Sequence, residues 1–389
     1  MSSLSPTELD ALLNGPALSP PSGITPQLDN PPNCKAAAIA VPIICLSVST
    51  LAIAMRLYTR SRIIRQMNIT DYSLLLGWGI LVGYIACLLL AFQYAPGVHQ
   101  WDLRLRDFRE FNYFMYIGSP LYGVCIFFVK LSILMQYIQV FMPAKQPKAM
   151  YWSTIFIIVL NFGYYVTRTF IEIFACQPIA KAWNPLIDEG RCIGVISRDI
   201  ASGIINTTSD VIILVLPQLV IWRLNISFKD KTAVSIIFLI AVFACVSSAV
   251  RLAYAVALQR HSDVAYYSWL TGLWTLPEIA CGIVAACLPV AKVFMASLAQ
   301  SRRFPSLAVA FGKITGRLRF PSRQSTSMHE LESQSRSWAK PYGITGLTCL
   351  PDSDSTRGLQ MGDHLEEGTH QHLDAFLVGE GVRPTNTSI

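Results

Sequence analysis

The chain has 389 residues, of which 52% are hydrophobic and 14% charged, whereas an ordinary soluble domain carries about 25% charged residues. One globule cannot hide that much apolar side chain, so a soluble enzyme is excluded and a bilayer must solvate part of the chain. The net charge of +7 does not point to a nucleic-acid partner, because the basic residues sit between apolar runs and just after the last, as topogenic charge does.

Residues 1–35, rich in Pro, Ser and Asn, contain no basic segment followed by an apolar core. They read as a short polar extracellular segment without a cleavable signal, and the first span serves as its own insertion signal. A spanning helix needs about 20 largely apolar residues. The stretches 36–55, 72–92, 113–141, 151–175, 200–222, 233–258 and 268–296 meet that requirement. The expected fold is all-α, a seven-transmembrane helix bundle over 36–300. The third and seventh stretches are long enough to tilt or to project beyond the hydrocarbon. Pro217 falls in the fifth, and Pro277 and Pro289 fall in the seventh. Spanning helices tolerate proline where neighbours satisfy the freed carbonyls, and Pro217 and Pro277 are candidates for a switch between two packings. Residues 301–321 mix basic and apolar side chains, a composition suited to an anionic inner leaflet. The remainder of the 301–389 tail is polar and Ser-rich and reads as disordered.

Lys and Arg set the expected orientation. The loops after spans one, three and five hold nine (Arg56, Arg60, Arg62, Arg65, Lys145, Lys148, Arg223, Lys229 and Lys231), against eight on the other side. Arg302, Arg303, Lys313, Arg317, Arg319 and Arg323 then place the C-terminus in the cytosol and the N-terminus outside, most simply in the plasma membrane. All four Asn-X-Ser/Thr sequons, at Asn68, Asn206, Asn225 and Asn386, fall in cytosolic or intramembrane positions and give that orientation no support.

Specific motifs recur in order along these spans. Arg56-Leu57-Tyr58-Thr59-Arg60 and Thr70-Asp71-Tyr72 precede span two, and Gly97-Val98-His99-Gln100-Trp101-Asp102 follows it. Span three ends in Lys130-Leu131-Ser132-Ile133-Leu134. The next connection on the outer side reads Cys176-Gln177-Pro178, Trp183-Asn184-Pro185 and Gly190-Arg191-Cys192. Ser209-Asp210 and Leu216-Pro217 lie in span five, Arg251-Leu252 in span six, and Glu278 then Cys287-Leu288-Pro289 in span seven. Together they resemble the fungal rhodopsin-domain family of seven-span integral membrane proteins, which includes receptor-like proteins of the G-protein-coupled type. The resemblance covers about residues 36–300 and implies a fold and a class more than an activity. The chain departs from some members in lacking a Cys-rich domain before span one, where only Cys34 stands. The family's acidic pair before span two is here Thr70-Asp71.

The candidate site residues come from the chemistry of the same positions. Cys176 and Cys192 bracket a loop on the expected outer face, where a disulfide can form. A bridge there would stabilise by about 3 kcal/mol in the chain-entropy account and pin the loop as a lid; the alternative is two free thiols. Trp183, between them, is an interfacial anchor or a ligand contact. A charge at mid-span costs about 2.5–3.5 kcal/mol on insertion scales, which makes it a functional candidate. By helical rise, Glu278, Arg251, Asp210 and Arg168 fall in the outer half or near the middle, with Glu278 pairing with Arg251 or Arg168. They would line a polar ligand pocket, or form salt bridges that only fix the packing. Lys130 lies deeper, either snorkelling to the inner surface or acting as a switch.

No cofactor or metal is expected. A retinal Schiff base needs a mid-span lysine in the last helix, where only Lys292 stands, near the cytosolic end. The six histidines, His99, His261, His329, His364, His370 and His372, all lie outside the spans, so a seven-span zinc hydrolase lacks its ligands. Intramembrane protease motifs are absent, and an enzyme is not expected. The expected partners are the lipid bilayer, an extracellular ligand, and a cytosolic protein such as a heterotrimeric G protein. Two alternatives stand: a transporter or channel using Glu278, Asp210 and Arg251, and a ligand-free membrane scaffold. Internal repeats of the kind common in secondary transporters are not evident.

Overall fold

The computed structural model describes residues 5–141, 148–221 and 228–300. The expectations for the tail beyond residue 300 fall outside these residues.

Seven helices among the described residues are long and apolar enough to cross a membrane. A short helix, α1 (Pro6–Asn14), precedes them, closed by a capping box in which Ser5 and Glu8 satisfy each other's backbone N–H groups. The spans are α2 (Lys35–Tyr58), α3 (Ile69–Tyr94), α4 (Leu105–Phe141), α5 (Lys148–Ile173), α6 (Val195–Ile221), α7 (Phe228–Arg260) and α8 (Val264–Gln300). Each contains one of the stretches expected from hydropathy, give or take two residues at an end. The largest difference is α4, which starts eight residues before 113. Its first turns, Leu105 to Asn112, carry Arg106, Asp107, Arg109 and Glu110, polar residues that a hydropathy criterion rejects and a helix rising out of the hydrocarbon accepts.

The centre of the bundle is made by α3, α4 and α8. Leu74, Leu81 and Leu88 repeat every seven residues along α3 and are fully buried, as are Phe111 and Val129 of α4 and Leu276, Ile279 and Ile283 of α8. The exposed large side chains are apolar too, notably Phe156, Leu160, Phe162 and Phe170 of α5 and Leu239, Phe243 and Val246 of α7. A helix apolar on both its buried and exposed sides is what a bilayer selects.

At one end of the bundle, residues 15–34 strap the α3–α4 connection. Ala17 N–H donates to the Leu103 carbonyl at 2.8 Å, Leu105 N–H to Gly15 at 3.0 Å, and Cys34 N–H to Pro96 at 2.8 Å. Gln27 N–H donates to the Asp102 carboxylate at 2.8 Å, and Arg104 pairs with Asp29 at 2.6 Å. Gly97 turns the chain beneath the strap with φ +72°, and a Cβ there would stand 3.0 Å from that of Cys34 and 3.1 Å from the Trp269 ring. That combination requires glycine. The start of α8 is tied to the same connection. Asp263 accepts from the Gln100 N–H at 3.0 Å and pairs with His99, while the Gln100 side chain accepts from Val264 N–H at 2.9 Å.

The α5–α6 connection lies at this end as well. Its strands β1 (Cys176–Gln177) and β2 (Arg191–Cys192) pair antiparallel, and a disulfide joins Cys176 to Cys192. Lys181 closes the loop by donating to the carbonyls of Asp188, Glu189 and Gly190.

Candidate ligand site and its charged floor

The intramembrane charges come together as pairs, and the pairs join into one network. Glu278 on α8 is 2% exposed. Its Oε2 lies 3.2 Å from Arg251 Nε on α7, and its Oε1 accepts from Tyr122 OH of α4 at 3.0 Å and Asn206 Nδ2 of α6 at 2.7 Å. One carboxylate thus connects four helices. Asn206 works in both directions. Its Oδ1 accepts from Lys130 Nζ at 3.0 Å and from Tyr165 OH at 2.6 Å. Its Nδ2 faces Glu278, Asp210 at 3.1 Å and Ser248 at 2.9 Å. Lys130 pairs with Asp210 at 2.8 Å, and Arg168 pairs with Glu172, one helical turn along α5, at 2.6 Å. Three cations therefore face three carboxylates, which is the condition under which buried charge is tolerated in a low-dielectric medium.

Above this floor, toward the disulfide-bearing end, lies a cavity of about 110 Å³. Arg168, Arg251, Tyr122, Tyr84, Ser202 and Thr275 are on its wall. Both arginines pack on the Tyr122 ring, with their guanidinium carbons 4.9 and 5.2 Å from its centroid. Gly123 makes room for one of them, since a Cβ there would stand 2.9 Å from Arg168 Nη1.

Of the candidates from sequence, Arg251 and Arg168 reach the cavity. Glu278 sits beneath Arg251, and Asp210 lies deeper still, held by Lys130, so neither is on the wall. The choice of partner for Glu278 falls to Arg251, because Glu172 takes Arg168 on their own helix. Trp183 is not a cavity residue. It packs on Tyr113 and Tyr116 of α4 at ring distances of 5.4 and 5.1 Å. The disulfide closes the 176–192 loop on itself, and the loop contributes no residue to the cavity wall. Lys130 does not snorkel: at 3% exposed it is buried, because Asp210 and Asn206 offer it ligands at its own depth. Pro217 and Pro277 are both inside continuous helices, and Pro42 and Pro120 join them in α2 and α4.

Two functional-looking groupings were missed by sequence reasoning. Asn206 was visible only as a sequon, although its i, i+4 spacing from Asp210 was a signal that both face one interface. The second grouping is at the opposite end of the bundle. Arg56 and Asp71, both fully buried, pair at 2.7 Å. Arg56 Nη1 also donates to Gln136 at 2.9 Å and to the Ala286 carbonyl, in the turn of α8 that Pro289 interrupts. Asp71 Oδ2 caps α3 through Asn68 N–H at 2.9 Å. This clamp joins α2, α3, α4 and α8.

Seven apolar helices around a buried polar network define a multi-pass integral membrane protein. Within that class, the fungal rhodopsin domain matches residues 55–297, and the chain belongs to that family. It is 32% identical to fugralins biosynthesis cluster protein 2 of Gibberella zeae over 71% of this chain and 70% of the relative. It is 32% identical to a SAT4 family membrane protein of Emericella nidulans over 68% of this chain and 63% of the relative. Similarity falls to 23% with the receptor GIN3 of Arthrobotrys oligospora, over 69% of this chain and 64% of the relative. No solved structure matches.

Proposed function

We propose that the protein is a plasma-membrane receptor, not an enzyme, that binds an extracellular ligand in the cavity above Glu278 and signals to a cytosolic partner. The observation that carries the reading is the sharing of Arg251 between cavity wall and charged floor. A ligand that draws on Arg251 changes what Glu278 feels, and Glu278 is bonded to α4 and α6 as well as α7. The five proline-bearing positions inside four helices give the bundle places to shift between packings. The basic residues flanking the spans support an external N-terminus and cytosolic C-terminus. The receptor name of one relative agrees with this class.

The test is proximity labelling from a C-terminal fusion in living cells, set beside flux measurements in vesicles holding the purified protein. Recovery of G-protein subunits or another cytosolic partner, without solute flux, supports the receptor. Net flux without a partner replaces it with a transporter.

A further inference from the structure

The cavity wall specifies a ligand chemistry, an inference that rests on the receptor reading above. Among the described residues, six buried side-chain atoms lack a hydrogen-bond partner. Two of them, Arg251 Nη2 and Arg168 Nε, belong to residues of the wall, and both are guanidinium nitrogens. Both arginines are more than nine-tenths buried, at 5% and 9% exposed. Glu172, whose Oε1 lies 2.6 Å from Arg168 Nη2, is off the wall. Arginine has donors only and cannot be neutralised, so the occupant has to bring acceptors.

Size and charge narrow the occupant further. An engineered cavity of about 150 Å³ takes benzene, so one of about 110 Å³ takes a molecule of roughly four to six heavy atoms. Leu88, Met115, Ala255 and Leu258 give the wall an apolar side. Asp199 is also on the wall, which disfavours a second negative charge on the ligand. We propose that the ligand is a small monocarboxylate, its carboxylate held by the guanidinium groups of Arg251 and Arg168 and its short hydrocarbon tail against Leu88 and Met115. Charge-assisted bonds of this kind are the strongest that such a site can offer.

The test uses the full chain in lipid nanodiscs and thermal-shift titration with propionate and butyrate against propionamide and butyramide, at pH 7 and constant ionic strength. The acids should bind about tenfold more tightly than their amides, the difference between charge-assisted and neutral hydrogen bonds. Arg168→Gln should bring that ratio toward one. Because Arg168→Gln strands Glu172, a second variant, Ser119→Leu, fills the cavity and keeps both arginines, and should abolish binding of acid and amide alike. Acid binding that survives Ser119→Leu overturns the site. Amides that bind as well as acids, and are blocked by Ser119→Leu, overturn the carboxylate while leaving the cavity reading intact. If neither series binds, both the ligand class and the cavity reading fail.

Discussion

At the scale of single residues, the arrangement around Glu278 separates charge from shape. Removing one partner of a buried ion pair leaves the other uncompensated, at a cost of about 3–5 kcal/mol, whereas neutralising both is often nearly neutral. Glu278→Gln and Arg251→Gln should each lower the thermal midpoint sharply. The double variant should recover most of the loss, with a coupling of roughly 3 kcal/mol in a double-mutant cycle. Additive losses would show that the 3.2 Å contact carries no net pairing energy. Gly123→Ala probes the site without touching a charge. Its new methyl meets the tip of Arg168 at 2.9 Å, so Arg168 must move while the fold survives. Carboxylate affinity should fall several-fold with little change in midpoint; unchanged affinity would remove Arg168 from the site.

At the scale of elements, the Arg56–Asp71 clamp and the N-terminal strap hold opposite ends of the bundle. Asp71→Asn leaves a fully buried guanidinium without its counter-charge, and the thermal midpoint should drop by an amount corresponding to about 3–5 kcal/mol. Arg56→Lys should rescue little, because Arg56 spreads its donors over Asp71, Gln136 and the Ala286 carbonyl, and an ammonium is a point donor. A lysine variant as stable as wild type would reduce the clamp to one ion pair. The same elements mark what was legible in the sequence. The spans were, because an apolar run of about 20 residues is a local property. The Cys176–Cys192 bridge was legible from its position at the ends of one loop. Which charges meet was not, because that depends on how each helix is rotated about its axis. Hence Glu278 had two candidate partners, and Lys130 had a snorkelling alternative that Asp210 removed. Arg56 and Asp71 were visible as a motif, but their contact crosses the connection from α2 to α3 and depends on how those two helices pack. The strap was hidden because residues 15–34 form their bonds with a connection about 60 to 90 residues away in the chain.

At the scale of the whole molecule, the account requires that the cavity open to the outside and the clamp face the cytosol. Cys34 is free and exposed at the cavity end. A membrane-impermeant maleimide applied to spheroplasts should label it without reductant, while Cys176 and Cys192 should stay unlabelled until reduced. Protection of Cys34 until the membrane is permeabilised would invert the molecule. The central claim, that an occupant of the cavity is felt at the far end of the bundle, is tested most directly by proximity labelling from the C-terminal tail with and without added butyrate, in cells expressing wild type or Ser119→Leu at matched surface abundance. The account predicts that butyrate changes recovery of a cytosolic partner in wild type and leaves Ser119→Leu unmoved. Partner recovery that is the same in all four conditions, with butyrate shown to bind the purified protein, would contradict it.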